Sequence, residues 1–218
     1  MTEIRKPGWM FYGGWMLLSV VALPVGFALA LAIGTPVSQV LGDRIRAGGA
    51  SAVTEDFLMG YFLFGGIGLV MGVLQGALLR RLSVRWGWWT IATVVGAMLP
   101  FIAGPLLVTG RTVGPLWDID RVRGALTLSL VGITLGVAQW VVLRDKVRGA
   151  GWWIPITVAG WALAGFTGGV ELSTPLDALA IVLLPPAATT LALWLLLDIL
   201  PGAGSLARAT RTSVHDLA

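Results

Sequence analysis

The chain has 218 residues, of which 56% are hydrophobic and only 12% are charged. A soluble domain carries about 25% charged residues, so the composition excludes a protein whose whole surface faces water. The formal charge is +4, but the Lys and Arg residues lie in short clusters between apolar runs. That pattern is typical of a membrane protein and argues against a nucleic-acid partner.

Six apolar runs predict six transmembrane helices, at residues 9–33, 57–79, 88–109, 124–143, 152–170 and 177–199. A span needs about 20 residues, and backbone groups in lipid must pair within their own segment, which requires helices. Ala28-Leu29-Ala30 imitates a signal-peptide cleavage site, but signal apolar regions run only about 7–15 residues, so we expect an uncleaved first span. The sequence predicts an all-α polytopic membrane bundle, with a transmembrane domain at 1–201 and a mobile cytoplasmic tail at 202–218.

The Lys and Arg residues also predict the orientation. With a cytoplasmic N-terminus, ten of them lie in inner segments and five in outer segments. We therefore expect a bacterial cytoplasmic (inner) membrane protein with both termini inside. The outer segment 35–56 has Val37, Val40, Leu41 and Ile45 at helical spacing, which predicts either a short amphipathic helix on the outer interface or a solvated loop.

An internal repeat with an offset of 64 residues is the strongest feature of the sequence. Nine residues of the first unit recur identically in the second: Gly68, Gly72, Gln75, Leu79, Arg80, Gly87, Trp88, Trp89 and Gly96 match Gly132, Gly136, Gln139, Leu143, Arg144, Gly151, Trp152, Trp153 and Gly160. Each unit is a predicted helical hairpin, at about 60–109 and 124–173. Both hairpins share one topology, so the pseudo-symmetry axis is expected along the membrane normal. A third, circularly permuted hairpin of spans 6 and 1 stays open, with Asp198 where Arg is expected.

Each unit carries small and polar residues on one helix face. The spacing i, i+4, i+7 puts them on the same side, and glycines four apart let two helix backbones approach closely in lipid. We predict that the glycine faces of spans 2 and 4 pack near the centre, with the Gln amides bonded across or to nearby carbonyls. A polar pocket, or a magnesium ligand for a chlorophyll, is the alternative for the two amides. The helix-packing and pocket candidates are Gly68, Gly72, Gln75, Gly132, Gly136 and Gln139.

The turn after each of these helices is basic and is followed by two tryptophans. Arg side chains reach the headgroups from a span end, and Trp is enriched at the interface. The predicted interface anchors are Arg80, Trp88, Trp89, Arg144, Trp152 and Trp153.

The second unit reads Gly132-x3-Gly136-x2-Gln139-Trp140-x2-Leu143-Arg144, followed by Trp152-Trp153. This pattern resembles a group of uncharacterised bacterial multi-pass membrane proteins over about residues 60–170. The first unit departs from it, with Gly76 where the pattern has Trp. The resemblance implies a fold and no mechanism.

The sequence offers little chemistry. It has no Cys, and its only His, His215, lies in the C-terminal tail, which excludes a His-ligated haem within the bundle and predicts no metal site and no catalytic residue. Pro185-Pro186 predicts a kink in the sixth span, satisfied by Thr189, Thr190 or another helix, or else a broken helix at a binding site. The eleven Trp residues are compatible with packing against a lipid, a carotenoid, a quinone or a chlorophyll-type pigment.

These features favour a non-enzymatic accessory or structural subunit that packs against membrane lipids, other membrane subunits or a hydrophobic cofactor. The alternative is a small-solute uptake component, because the size, the six spans and the small face Ala28-x3-Ala32 resemble the substrate-binding subunits of energy-coupling-factor vitamin transporters. The internal repeat is not expected of that family. A lipid-modifying enzyme is a third hypothesis without a visible acid, base or metal.

Overall fold

The computed structural model describes residues 7–47, 52–82, 84–107, 121–147, 149–168 and 175–199. In this part of the chain the regular elements are all helices, which confirms the predicted all-α class. The predicted tail at 202–218 lies outside the described residues. The six helices are α1 (Trp9–Ala47), α2 (Ala52–Leu79), α3 (Trp86–Leu107), α4 (Arg121–Leu143), α5 (Trp153–Gly168) and α6 (Pro175–Trp194), and a π-helix (Leu195–Ile199) follows α6.

Four of these helices have segments long and apolar enough to cross a membrane. Such segments need about 20 residues to span a hydrocarbon core of about 30 Å. The chain is therefore built as a membrane protein. The four segments are Trp9–Leu41, Gly60–Leu82, Gly124–Leu143 and Leu179–Ile199.

The first helix is longer than the sequence predicts. It has 39 residues and continues through Pro36 to Ala47, about 58 Å at 1.5 Å per residue. The prediction of a separate interfacial helix or a loop at 35–56 is therefore wrong, because α1 and α2 take up most of that segment. An interfacial helix and a continued span have the same apolar spacing, and the first strong break after Pro36 is Gly48-Gly49.

The helices form a closed ring in chain order. Each helix packs on the next, and α6 packs back on α1. At one end a buried cluster joins the start of α1, the α2–α3 turn, the α4–α5 turn and the end of α6; its members include Phe11, Leu82, Val84, Val147 and Leu197. A second buried cluster fills the ring beyond it and includes Phe64, Phe101, Val131, Leu135 and Trp161.

The glycine faces pack within the hairpins. A methyl group added at Gly72 would lie 2.9 Å from the Cα of Thr90 on α3, and one at Gly132 would lie 2.8 Å from the Cα of Val158 on α5. Gly68 likewise lies against α3, and Gly136 lies against α5. The glycine faces of spans 2 and 4 were predicted to pack near the centre, and each instead packs on the next helix of its own hairpin. Each hairpin has a short turn that brings its own two helices together, so the nearest partner of each glycine face is the next helix in the chain.

The proline pair of α6 lies inside a continuous helix. Thr189 Oγ1 lies 3.1 Å from the carbonyl oxygens of both Pro185 and Pro186, and Thr190 Oγ1 donates to Pro186 O at 2.7 Å. The threonines thus bond to the prolines' own carbonyls, whereas the carbonyls that prolines free belong to the preceding turn.

Candidate functional site

Three tryptophans meet on the axis of the ring. Trp15 of α1, Trp89 of α3 and Trp153 of α5 are each 0% exposed. Their ring centroids lie 5.8 Å, 5.8 Å and 6.2 Å apart, and all three pairs meet edge to face. This is a preferred geometry for aromatic pairs, because the positive edge of one ring faces the negative face of the next. We call Trp15, Trp89 and Trp153 the Trp triad.

Two of the predicted interface anchors belong to the buried Trp triad. Trp88 and Trp152 are 56% and 59% exposed, whereas Trp89 and Trp153 are fully buried. Consecutive residues point about 100° apart on an α-helix and about 120° apart on a 3-10 helix such as Ala150–Trp152, which precedes α5. Only one Trp of each pair therefore faces outward. Trp89 and Trp153 are therefore core residues and not interface anchors.

Each indole N–H of the triad has a partner on a neighbouring helix. Trp89 Nε1 donates to Gln75 Oε1 at 3.3 Å, and Trp153 Nε1 donates to Gln139 Oε1 at 2.9 Å. Trp15 Nε1 donates to Thr189 Oγ1 of α6 at 3.3 Å. Buried indole N–H groups normally find such a partner, so these bonds fix how the two helices of each pair slide past one another.

The two glutamines also connect one hairpin to the next. Gln75 Nε2 donates to Ser19 Oγ of α1 at 2.9 Å, and Gln139 Nε2 donates to Thr93 Oγ1 of α3 at 3.0 Å. The amides were predicted to bond across the bundle or to nearby carbonyls, and the observed partners are hydroxyls and indoles. Both glutamines are 2% exposed, so they lie in the packed interior and not in an open polar pocket.

The hydroxyls that accept these amide hydrogen bonds also donate to the backbone carbonyls of Trp residues one turn earlier. Ser19 Oγ donates to Trp15 O at 2.7 Å, and Thr93 Oγ1 donates to Trp89 O at 2.8 Å. Each node therefore consists of an indole, a glutamine amide and a hydroxyl one turn after a Trp. Intramembrane hydrogen bonds contribute only about 0.6 kcal/mol each on average, so these nodes specify register more than they add stability.

The next layer of the core is also aromatic. Phe64 of α2 stacks on Phe101 of α3 with centroids 4.7 Å apart, and it contacts Trp161 of α5 at 6.2 Å. All three side chains are buried. Together with the triad, they fill the axis of the ring at two levels.

The rim next to the triad is basic and aromatic. Arg80 and Arg144 are exposed, and the Arg144 guanidinium lies 5.6 Å from the centroid of the Trp140 ring, a cation–π distance. Asp198 accepts a hydrogen bond from Tyr12 Oη at 2.9 Å, which ties the π-helix to the start of α1. Among the residues that the structure describes, no group of His, Asp or Glu is arranged to hold a metal.

Sequence reasoning missed most of the network. It named Trp89, Trp153 and the two glutamines, but it did not connect them to Trp15, Ser19 or Thr93. A signal was present, because all three Trp residues are followed four positions later by a hydroxyl residue, at Ser19, Thr93 and Thr157.

No protein-family model, curated protein or solved structure matches the chain.

Proposed function

We propose that this protein is a non-enzymatic integral membrane protein, an accessory or structural subunit that works through its outer surface. The observation that carries the proposal is the aromatic, hydrogen-bonded core. Aromatic side chains occupy the axis at two levels, and the glutamines of the core bond to indoles and hydroxyls of the same chain. Partner helices, membrane lipids or a hydrophobic cofactor such as a carotenoid, quinone or chlorophyll-type pigment would then bind outside the ring.

The proposed architecture is a pseudo-threefold bundle of three hairpins, α2–α3, α4–α5 and α6–α1, around an axis normal to the membrane. The repeat in the sequence supports the first two. The third is supported by the position of Trp15, which contacts Trp89 and Trp153 at nearly equal distances and bonds to α6 as they bond to α2 and α4. In this arrangement α3 and α5 also cross the membrane, which gives six spans. We also propose kinship with the bacterial group that shares the Gln-Trp-x2-Leu-Arg pattern.

The proposed orientation places both termini in the cytoplasm, in a bacterial inner membrane. It is supported by the basic residues of the α2–α3 and α4–α5 turns, which lie at the same end of the bundle as the start of α1. The chain has no Cys, so single-cysteine labelling needs no background removal. In intact spheroplasts an impermeant maleimide should label Arg44→Cys and spare Asp145→Cys. The opposite pattern would invert the topology.

The outer face of α1 is the proposed partner surface. Val21, Pro24, Val25, Ala28 and Ala32 recur at helical spacing and are all exposed. Small residues four apart allow another helix to approach closely in lipid, where packing rather than water exclusion drives association.

Co-purification from native membranes in mild detergent tests this function. Ala28→Trp should lose stoichiometric partners or pigment, because the indole blocks close approach. The matched control is Ile133→Trp, on an exposed part of α4, which should retain them. A clean, colourless monomer from the unmodified chain would contradict the proposal.

A vitamin-type uptake component is the second candidate, and the exposed Ala28 and Ala32 favour it, since such a component also needs a small-residue face for its partner. It would need a ligand chamber in or beside the ring. A thermal-shift screen with vitamins separates the two, because a bound ligand raises Tm.

A further inference from the structure

The third node of the core differs from the other two at α6. Gln75 and Gln139 each accept from an indole through Oε1 and donate to a hydroxyl through Nε2. On α6 the residue that accepts from the indole of Trp15 is Thr189. Its Oγ1 replaces the amide oxygen, but its side chain ends there and has nothing in place of the amide nitrogen.

By analogy with the other two nodes, the hydroxyl that such a nitrogen would reach is that of Thr157. Thr157 follows Trp153 by four residues, as Ser19 follows Trp15 and Thr93 follows Trp89. Thr157 is 1% exposed, and its Oγ1 has no hydrogen-bond partner among the described residues. A buried hydroxyl without a partner is unfavourable, and buried polar groups are normally satisfied by protein or ordered water.

We infer that a buried water molecule bridges Thr157 Oγ1 and Thr189 Oγ1, at the place that the amide nitrogen of a glutamine holds in the other two nodes. This inference rests on the proposed threefold arrangement of the hairpins. The water accepts the Thr157 hydroxyl proton and donates to a lone pair of Thr189 Oγ1. Thr189 keeps its own bonds, as acceptor from Trp15 Nε1 and donor to the proline carbonyls.

The two hydroxyls would give a resident water its minimum of two partners. We expect room for it because threonine lacks the terminal amide of glutamine, and a water takes up about 30 Å³. Backbone contact between α5 and α6 is nevertheless close, since a methyl group at Gly160 would lie 2.5 Å from the Cβ of Ala188.

The bridging water would distinguish the α5–α6 link from the other helix–helix links of the ring. Side-chain bonds connect α1 to α2, α2 to α3, α3 to α4, α4 to α5 and α6 to α1. In this node the link between α5 and α6 is made by an exchangeable water instead of a tethered amide.

The direct test is an experimental structure of the full chain in lipid, at a resolution that shows ordered water, together with water-to-threonine NMR cross-relaxation. We expect water density within hydrogen-bond distance of both hydroxyls. The inference is overturned if Thr157 Oγ1 instead donates to Trp153 O, as Ser19 and Thr93 do to their own Trp carbonyls.

Two variants make the test independent of that structure. Thr189→Gln should place Nε2 at the water position and release the immobilised water, which should raise Tm by roughly 2–4 °C in a chain of this length. Thr157→Val removes the hydroxyl that Nε2 would bind while keeping the side-chain shape. In that background Thr189→Gln should not raise Tm.

A fall in Tm for Thr189→Gln in both backgrounds would mean that no room exists and would overturn the inference. Its failure can be told apart from failure of the threefold arrangement, because that arrangement requires α6 to pack on α1, which the double variant Met16→Cys/Thr190→Cys tests by crosslinking. If that crosslink forms and no water is seen, the arrangement stands and only the bridging water is wrong.

Discussion

Gln139 offers the sharpest perturbation of the core. Gln139→Leu keeps the approximate shape of the side chain and removes two bonds, from Trp153 Nε1 at 2.9 Å and to Thr93 Oγ1 at 3.0 Å. Thr93 keeps its bond to Trp89 O, but the fully buried indole of Trp153 loses its acceptor.

The size of the effect follows from these contacts. Two intramembrane bonds at about 0.6 kcal/mol each, plus about 1–3 kcal/mol for one buried donor without a partner, give a loss of roughly 2–4 kcal/mol in the free energy of unfolding. Adding Trp153→Phe to Gln139→Leu removes the orphaned donor. The double variant should therefore lose less than the sum of the two single variants.

Equilibrium unfolding in mixed detergent micelles measures all four members of this cycle. The matched control is Gln39→Leu, because Gln39 is an exposed residue of α1 and its substitution should change stability by less than about 0.5 kcal/mol, the usual range for surface sites. A change for Gln139→Leu as small as that of the control, or strict additivity with Trp153→Phe, would refute the proposed role of the amide.

Two further pairs test the packing. Gly72→Ala should destabilise more than Gly136→Ala, because the added methyl group lies 2.9 Å from a Cα in the first and 3.3 Å in the second. Gly13→Ala, with nothing within 4 Å, measures the gain in helix propensity alone. Equal losses at the first two sites in the same unfolding assay would contradict this ranking of helix approach. Trp153→Ala should lower the free energy of unfolding by about 3–5 kcal/mol, as for other buried aromatic residues. Trp152→Ala should lower it by under about 1 kcal/mol, because its side chain is 59% exposed. Thermal melts that rank the two variants the other way would contradict the assignment of Trp153 to the core.

The sequence predicted where the helices lie along the chain but not which helices contact one another. Apolar runs located the six α-helices of the described residues, four of which are long and apolar enough to cross a membrane. A span in lipid has a required length and must be helical. The prediction failed at 35–56, because the apolar spacing of an interfacial helix and of an extended span is the same.

The core illustrates a different limit. The offset of 64 residues singled out Gln75, Gln139 and the Trp pairs, and all of these residues except the outer Trp of each pair are buried. The repeat could not say which Trp of a pair faces inward, because that depends on the rotation of each helix in the ring. Nor did it reveal Trp15 and Thr189, since α1 and α6, which carry them, lie at the two ends of the chain.

Closure of the ring by α6 on α1 is the central claim, and a disulfide tests it most directly. Thr190 Oγ1 of α6 lies 3.7 Å from Met16 Sδ of α1, and the chain has no native cysteine. Oxidation of the double variant Met16→Cys/Thr190→Cys in membranes should give an intramolecular crosslink, seen as a shift in gel mobility that reductant reverses. Met16→Cys/Val137→Cys, with its second cysteine on the outer face of α4, should give none. A chain that crosslinks in neither variant, or equally in both, would contradict a closed ring around the Trp triad.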